Sequence, residues 1–367
     1  MLRRTIESGS SDLHLCAEQP PILRLHGNLV RLDEPRLNAA ELEAMAEAVI
    51  PRDKLPSFRQ LGEVDFSYPL AGFGRFRVNI YRQRGTVALA ARTIPTQVTR
   101  LRSLTLPDGV ADTLATFCQK PNGLVLLTGP TGSGKSTTLA AMIDLINEEQ
   151  DLHIITLEDP IEYLHRHKRA VVNQREVGED TSTFARGLRA ALREDPDVIL
   201  VGEMRDLETI RIALEAAETG HLVFSTVHTN GAPATIDRII DVFPEAQQGQ
   251  VRIQLASAIQ GIVTQRLFRR RDREGRFAAA EVLVATPAVR NLVREGKTHQ
   301  IMSVIQTGTR LGMRTMESSV KELYERRIIN DQDWKEFLAA NDQSGHMGGN
   351  PGGPGSPQGS QGGYSVR

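Results

Sequence analysis

Gly129-Pro130-Thr131-Gly132-Ser133-Gly134-Lys135-Ser136, followed by Thr137, has the spacing of a phosphate-binding loop. Before it runs Leu124-Val125-Leu126-Leu127, an apolar stretch of a length that suits a buried parallel strand. After it, Leu139, Met142, Ile143 and Ile146 recur at i, i+3, i+4 and i+7, the stripe of an amphipathic helix. Strand, glycine loop and helix are the setting this motif needs. The glycines let successive backbone N–H groups converge on phosphate oxygens, and the helix N-terminus adds its partial positive charge. Lys135 would reach the β- and γ-phosphates, and the Ser136 hydroxyl would ligate Mg²⁺. The chain is therefore expected to bind a nucleoside triphosphate along residues 129–137.

Working outward from the loop, the 367 residues allow two domains with substantial cores. A formal net charge of −1 gives no whole-chain field toward nucleic acid or an anionic membrane. Nearly all the basic residues are Arg, which suits bidentate phosphate contacts. Cys16 and Cys118 are too few for a disulfide framework or a tetracysteine zinc site, and fit a reducing cytoplasm. No run of about 18 apolar residues offers a membrane span, so any membrane contact is expected through a partner.

Four regions are expected. Residues 1–95 mix short alternating strands with one helix. Leu23 to Val30 reads as a hairpin around Gly27-Asn28, and Glu41 to Val49 has helical spacing ended by Pro51. Asp65–Tyr68, Gly74–Tyr81 and Val87–Arg92 read as antiparallel strands. Residues 96–105 form a linker. Residues 106–340 alternate strand and helix, which implies a mostly parallel sheet, an α/β fold, with helices at its C-terminal end. Residues 341–367, mostly Gly, Ser, Pro and Gln, read as a disordered tail.

Three further apolar strands each run into a polar residue suited to chemistry. His153–Leu157 leads to Glu158-Asp159-Pro160-Ile161-Glu162, Val198–Val201 leads through Gly202 to Glu203, and Leu222–Val227 leads to His228. Ligands of open α/β sheets sit beyond the carboxyl ends of parallel strands, so these side chains would converge on the triphosphate. Glu203 would serve the Mg²⁺. Glu162 is the best general base for orienting a water in line with the γ-phosphate, although Glu158 could do this instead, or cap a helix at Pro160. His228 would sense the γ-phosphate. His165-Arg166-His167 lacks partners for a metal set and reads as an exposed loop. Arg77 and Arg92 lie on neighbouring strands of the first region; an arginine brought from another domain or subunit can stabilise a transferring phosphate, and local spacing does not decide whether these two do so.

Taken together, Gly129–Ser136, Thr156–Glu162, Asp195–Asp206 and Thr219–Asn230 resemble the Walker A, Asp box, Walker B and His box of the secretion ATPase superfamily, which drives type IV pili and type II secretion. Ser11-Asp12-Leu13-His14-Leu15 and the segment from Arg77 to Pro95 extend the resemblance over residues 1 to about 340. It implies a PAS-like N-terminal domain, a RecA-like ATPase domain, a homohexameric ring, ATP and Mg²⁺ as cofactors, and catalytic roles for Lys135, Glu162, Glu203 and His228. Two N-terminal-domain arginines fifteen residues apart reach the nucleotide in that family, and Arg77 and Arg92 match them. Members that drive pilus extension or secretion carry a tetracysteine insertion and an additional N-terminal domain; this sequence shows neither. Ala288-Val289-Arg290-Asn291-Leu292-Val293-Arg294-Glu295 resembles the AIRNLIRE signature of pilus-retraction members, and reads as a helix with Arg290 and Arg294 facing outward. The resemblance implies a cytoplasmic motor at the inner face of the membrane, acting on an inner-membrane pilus platform protein (PilC-like) with no nucleic acid. An accessory retraction ATPase and a nucleic-acid-translocating RecA-like protein are the rival readings.

Overall fold

The computed structural model describes residues 1–25 and 27–345. Alternation of apolar and polar residues shapes the first of two sheets. Its strands are β1 (Asp12–Leu15), β2 (Ile22–Leu25), β3 (Asn28–Arg31), β4 (Glu63–Leu70), β5 (Gly74–Gln83) and β6 (Thr86–Ile94). They pair antiparallel throughout, in the order β3-β2-β1-β6-β5-β4. Register places Leu23, Leu13, Ala91, Val78 and Phe66 in one row across the sheet. That row is buried against Leu42 and Ala46 of the helix Ala39–Val49 and Phe58 of the helix Leu55–Leu61. With a side-chain period of two, the neighbouring row (Arg24, Asp12, Arg92, Arg77, Ser67) faces the other way.

Two local readings shift by a residue or two. Residues 1–95 hold three helices rather than the one expected, Leu2–Glu7, Ala39–Val49 and Leu55–Leu61; the expected one begins at Ala39 rather than Glu41, because Asn38 accepts from the Glu41 N–H at 2.9 Å while the Glu41 carboxylate accepts from the Asn38 N–H at 2.8 Å. This reciprocal capping box satisfies two free donors and fixes the start. The expected turn pair Gly27-Asn28 is not kept, since Asn28 already lies in β3 and pairs directly with Leu25.

The second sheet carries β7 (Gly123–Thr128), β8 (His153–Glu158), β9 (Val171–Glu176), β10 (Val198–Val201), β11 (Leu222–Val227), β12 (Ile259–Arg269) and β13 (Arg276–Val284). Their order is β13-β12-β7-β11-β10-β8-β9, parallel except for the β12–β13 pair. Strands β7, β10 and β11 are buried along their whole length, as expected for strands covered by helices on both faces. One apolar cluster fills each face.

Residues 159–170 form no helix, so capping at Pro160 is not a role open to Glu158. The last helix, Asp331–Gly345, runs into the stretch expected to be disordered; residues 346–367 of that tail lie outside the described residues. The helix Pro287–Arg294 buries Val289 and Val293, and Arg294 is exposed. Arg290 departs from its expected outward pose. Its guanidinium donates to the carbonyl of Ala256 at 2.7 Å and to that of Ser257, closing the helix Glu245–Ala258. Free carbonyls and the negative end of a helix dipole draw a cation there. Among the described residues, no helix is long and apolar enough to cross a membrane.

The two sheets meet beside the loop that follows β8. Leu164 N–H donates to the Pro95 carbonyl at 3.1 Å, and Lys54 pairs with Glu179 in the turn after β9.

Candidate nucleotide site

The loop after β7 is shaped by contacts that leave no room for side chains. A Cβ on Gly129 would lie 2.3 Å from the Gln265 carbonyl oxygen on β12, and its φ of +128° is itself glycine territory. Gly134, also left-handed, opens the helix Lys135–Glu149. That first turn carries Lys135 and Ser136 to the edge of the sheet, where they line a cleft with residues from the ends of β8, β10 and β11. Lys135 is buried there and donates to the carbonyls of Gly129 at 2.9 Å and Pro130 at 3.0 Å. Burial pushes its pKa down, and the carboxylates of Glu162 and Glu203 pull it back up.

A cleft of about 330 Å³ opens at this edge. The loop contributes Thr131, Gly132, Lys135 and Ser136; the end of β8 contributes Glu158, and the segments after β8, β10 and β11 contribute Glu162, Glu203 and His228. Arg77 of the first sheet also lines it. Glu203 Oε2 lies 2.8 Å from Arg205 Nε and 3.4 Å from His228 Nε2, so the acid and the histidine, from adjacent parallel strands, touch.

Glu158 and Glu162 occupy different environments. Glu158 Oε1 accepts from Thr156 Oγ1 at 2.7 Å and Gln174 Nε2 at 3.0 Å, and burial pushes its pKa up. Glu162 is exposed on the cleft wall.

Other residues of the expected set lie nearby but apart. Thr137 Oγ1 is 3.0 Å from the Tyr163 hydroxyl and borders a second cleft of about 320 Å³ on the far side of the helix start, walled by Leu104, Leu106 and Leu267. Ser133 turns inward, its hydroxyl buried and without a hydrogen-bond partner among the described residues. Arg92 sits in a neighbouring cleft, where its Nε donates to Asp12 Oδ1 at 2.8 Å; Arg77 lines both clefts.

Two cleft residues escape a reading by sequence. Arg205 follows Glu203 by two positions, and the intervening Met204 is buried, so an in-and-out alternation was the available signal. His165, read as part of an exposed loop, is instead only 3% exposed at its side chain and borders the cleft; burial lowers its pKa. Nothing in the letters marks that inversion, because it comes from packing beside Asp144 on the helix after the phosphate loop.

The parallel sheet, the loop at the end of β7 and the acids at the ends of its neighbours define a RecA-like P-loop nucleotide-binding protein. Residues 1–338 match the family described as Type II/IV secretion system protein, and the chain belongs to that family. It is 46% identical over 336 residues to the type IV pilus retraction ATPase PilT of Pseudomonas aeruginosa, covering 92% of this chain and 96% of that protein. It is 49% identical over 309 residues to a twitching motility protein of Neisseria gonorrhoeae, covering 84% and 82%. The crystal structure of the pilus retraction motor PilT with bound ADP superposes with a TM-score of 0.84 at 49% identity, covering 91% of this chain and 95% of that one.

Proposed function

We propose that this chain is the ATP-hydrolysing motor that powers type IV pilus retraction, and with it twitching motility, by disassembling the pilus at its base. One observation carries the enzymatic half: a single cleft gathers Lys135 and Ser136, Glu162, Glu203, His228 and, from the other sheet, Arg77. The mechanical half rests on the relatives, a retraction ATPase and a twitching motility protein, each matched over most of its length.

In this mechanism the residues around Gly129–Thr137 hold ATP. The backbone N–H groups and Lys135 cradle the phosphates, and the apolar second cleft beside Gly134 suits the nucleobase. Ser136 and Glu203, a hydroxyl and a carboxylate across the cleft, are the hard oxygen donors that fit Mg²⁺. That ion would neutralise charge on the phosphates. Glu162 orients the attacking water and accepts its proton. Glu158 is unsuited to this, because Thr156 and Gln174 already donate to its Oε1 and the Glu162 N–H faces its Oε2 at 3.5 Å. His228, bonded to Glu203, reports the γ-phosphate through that carboxylate.

Residues 1–95 act as one unit that closes on residues 106–340 across the linker 96–105, bringing Arg77 and Arg92 onto the transferring phosphate. Six chains form the ring, which works at the inner face of the cytoplasmic membrane against a platform protein. Two measurements test the reading. Purified chain should release phosphate from ATP, with Lys135→Ala inactive. Cells lacking the chain should carry long, abundant pili that do not retract; normal retraction in those cells would refute the motor role.

A further inference from the structure

The Ser11–Leu15 motif has no part in the chemistry described so far, yet the structure ties it to the arginines. Arg24, Asp12, Arg92, Arg77 and Ser67 are successive cross-strand partners on β2, β1, β6, β5 and β4, on the face of the sheet away from its core. Three guanidinium groups thus share one row, and like charges directly opposite each other destabilise a sheet. Asp12 is the carboxylate within that row. Asp12, 7% exposed, accepts from Arg92 Nε at 2.8 Å through Oδ1 and from Ser11 Oγ at 2.8 Å through Oδ2, and lies 3.8 Å from Arg24 Nε. Burial opposes its charge, but the hydrogen bonds from Arg92 and Ser11 hold its carboxyl below the usual range.

Arg92 itself is 72% exposed at its side chain. A long exposed side chain keeps much rotamer freedom unless something fixes it. Asp12 is what fixes it, from a strand whose backbone is paired on both sides. The neighbouring partner Arg77 lines both the phosphate-loop cleft and the cleft that holds Asp12 and Arg92, so the row runs directly into the nucleotide site. Asp65 stands 3.9 Å from Arg77 on the same side.

We propose that Asp12 is a positioning residue for Arg92: by holding the Arg92 guanidinium on the β1 side of its strand, one register step from Arg77, it fixes the geometry in which Arg92 meets the transferring phosphate. The proposal rests on the reading that these arginines act on ATP. A carboxylate that only relieved charge within the sheet would show in the thermal midpoint rather than in kcat. One that acts through Arg92 would matter only while Arg92 is present.

The test is steady-state ATP hydrolysis by full-length chain at ring-forming concentration, with thermal midpoints recorded alongside. Asp12→Asn should lower kcat at least about tenfold, the order expected for a misplaced catalytic group, and change KM for ATP little. Asp12→Glu should recover part of the loss. The decisive variant is Asp12→Asn combined with Arg92→Ala, which should be no slower than Arg92→Ala alone. Normal kcat in Asp12→Asn beside a slow Arg92→Ala overturns the positioning role and leaves the arginine reading standing. A double variant whose loss is the product of the two single losses, or is matched by a collapse in thermal midpoint, also overturns it. Normal turnover in Arg92→Ala removes both.

Discussion

Lys135, Glu158 and Glu162 show how placement separates groups whose letters are alike. Two glutamates end the same strand segment, four residues apart. One is enclosed by Thr156 and Gln174; the other stands exposed on the cleft wall. A group that must take a proton from water needs an open lone pair facing the cleft, and Glu162, exposed on the cleft wall, offers one. Glu162→Gln should therefore lower kcat by about 10²–10⁴-fold while Mg·ATP still binds, read by a fluorescent nucleotide analogue. Glu203→Gln should also stop turnover, but by weakening the metal dependence, read by titrating Mg²⁺. If Glu158→Gln is dead and Glu162→Gln turns over normally, the assignment of the base is wrong. Lys135→Ala removes the charge nearest the phosphates and should lose both binding and hydrolysis.

At the scale of elements, side chains from one strand or helix repeatedly close the ends of another. Arg290 of the helix Pro287–Arg294 closes the helix Glu245–Ala258, and Arg290→Ala should cost about 1–2 kcal/mol, seen as a lower thermal midpoint, while Arg294→Ala should not. Glu281 on β13 accepts from the Ala232 N–H at 2.8 Å, capping a helix whose own N-cap, Gly231, has no side chain to do so. Burial raises the Glu281 pKa above its ordinary value near 4.5, so the folded state resists ionisation that the unfolded chain accepts freely. Unfolded chain then releases this proton first, and stability falls as pH rises above about 4.5. Glu281→Gln keeps an acceptor for Ala232 and removes the titration. Its thermal midpoint should fall less than that of the unaltered chain between pH 5 and pH 8; an equal fall would refute the burden placed on this carboxylate. The same elements show what was legible beforehand. Strands β7, β8, β10 and β11 could be read because buried parallel strands are short continuous apolar runs, and the residues ending them inherit one edge of the sheet. The inward turn of Arg290, the burial of His165 and the Asp12–Arg92 clamp could not, because each depends on a partner distant in sequence that periodicity does not encode.

For the whole molecule, the question is how the arginine face of the first sheet reaches the phosphate loop of the second. Arg77 lines the cleft of its own chain, and the Leu164–Pro95 hydrogen bond and the Lys54–Glu179 pair hold the two sheets side by side within that chain. The pair is partly exposed, so it contributes at most about 1 kcal/mol and restrains closure without locking it. This arrangement argues that each cleft is completed by the first sheet of its own chain; in the ring proposed above, neighbours would act by pressing that sheet into place. Two consequences can be separated. Turnover per chain should rise with protein concentration as rings assemble; full, concentration-independent activity in a monomer would refute the ring while leaving the nucleotide site intact. Mixing Lys135→Ala chains with Arg77→Ala chains should then restore nothing, because every cleft lacks either its own lysine or its own arginine. Recovery of hydrolysis well above the sum of the two variants would mean that the arginine crosses from the neighbouring chain, and the pairing of cleft and domain within one chain would have to be abandoned.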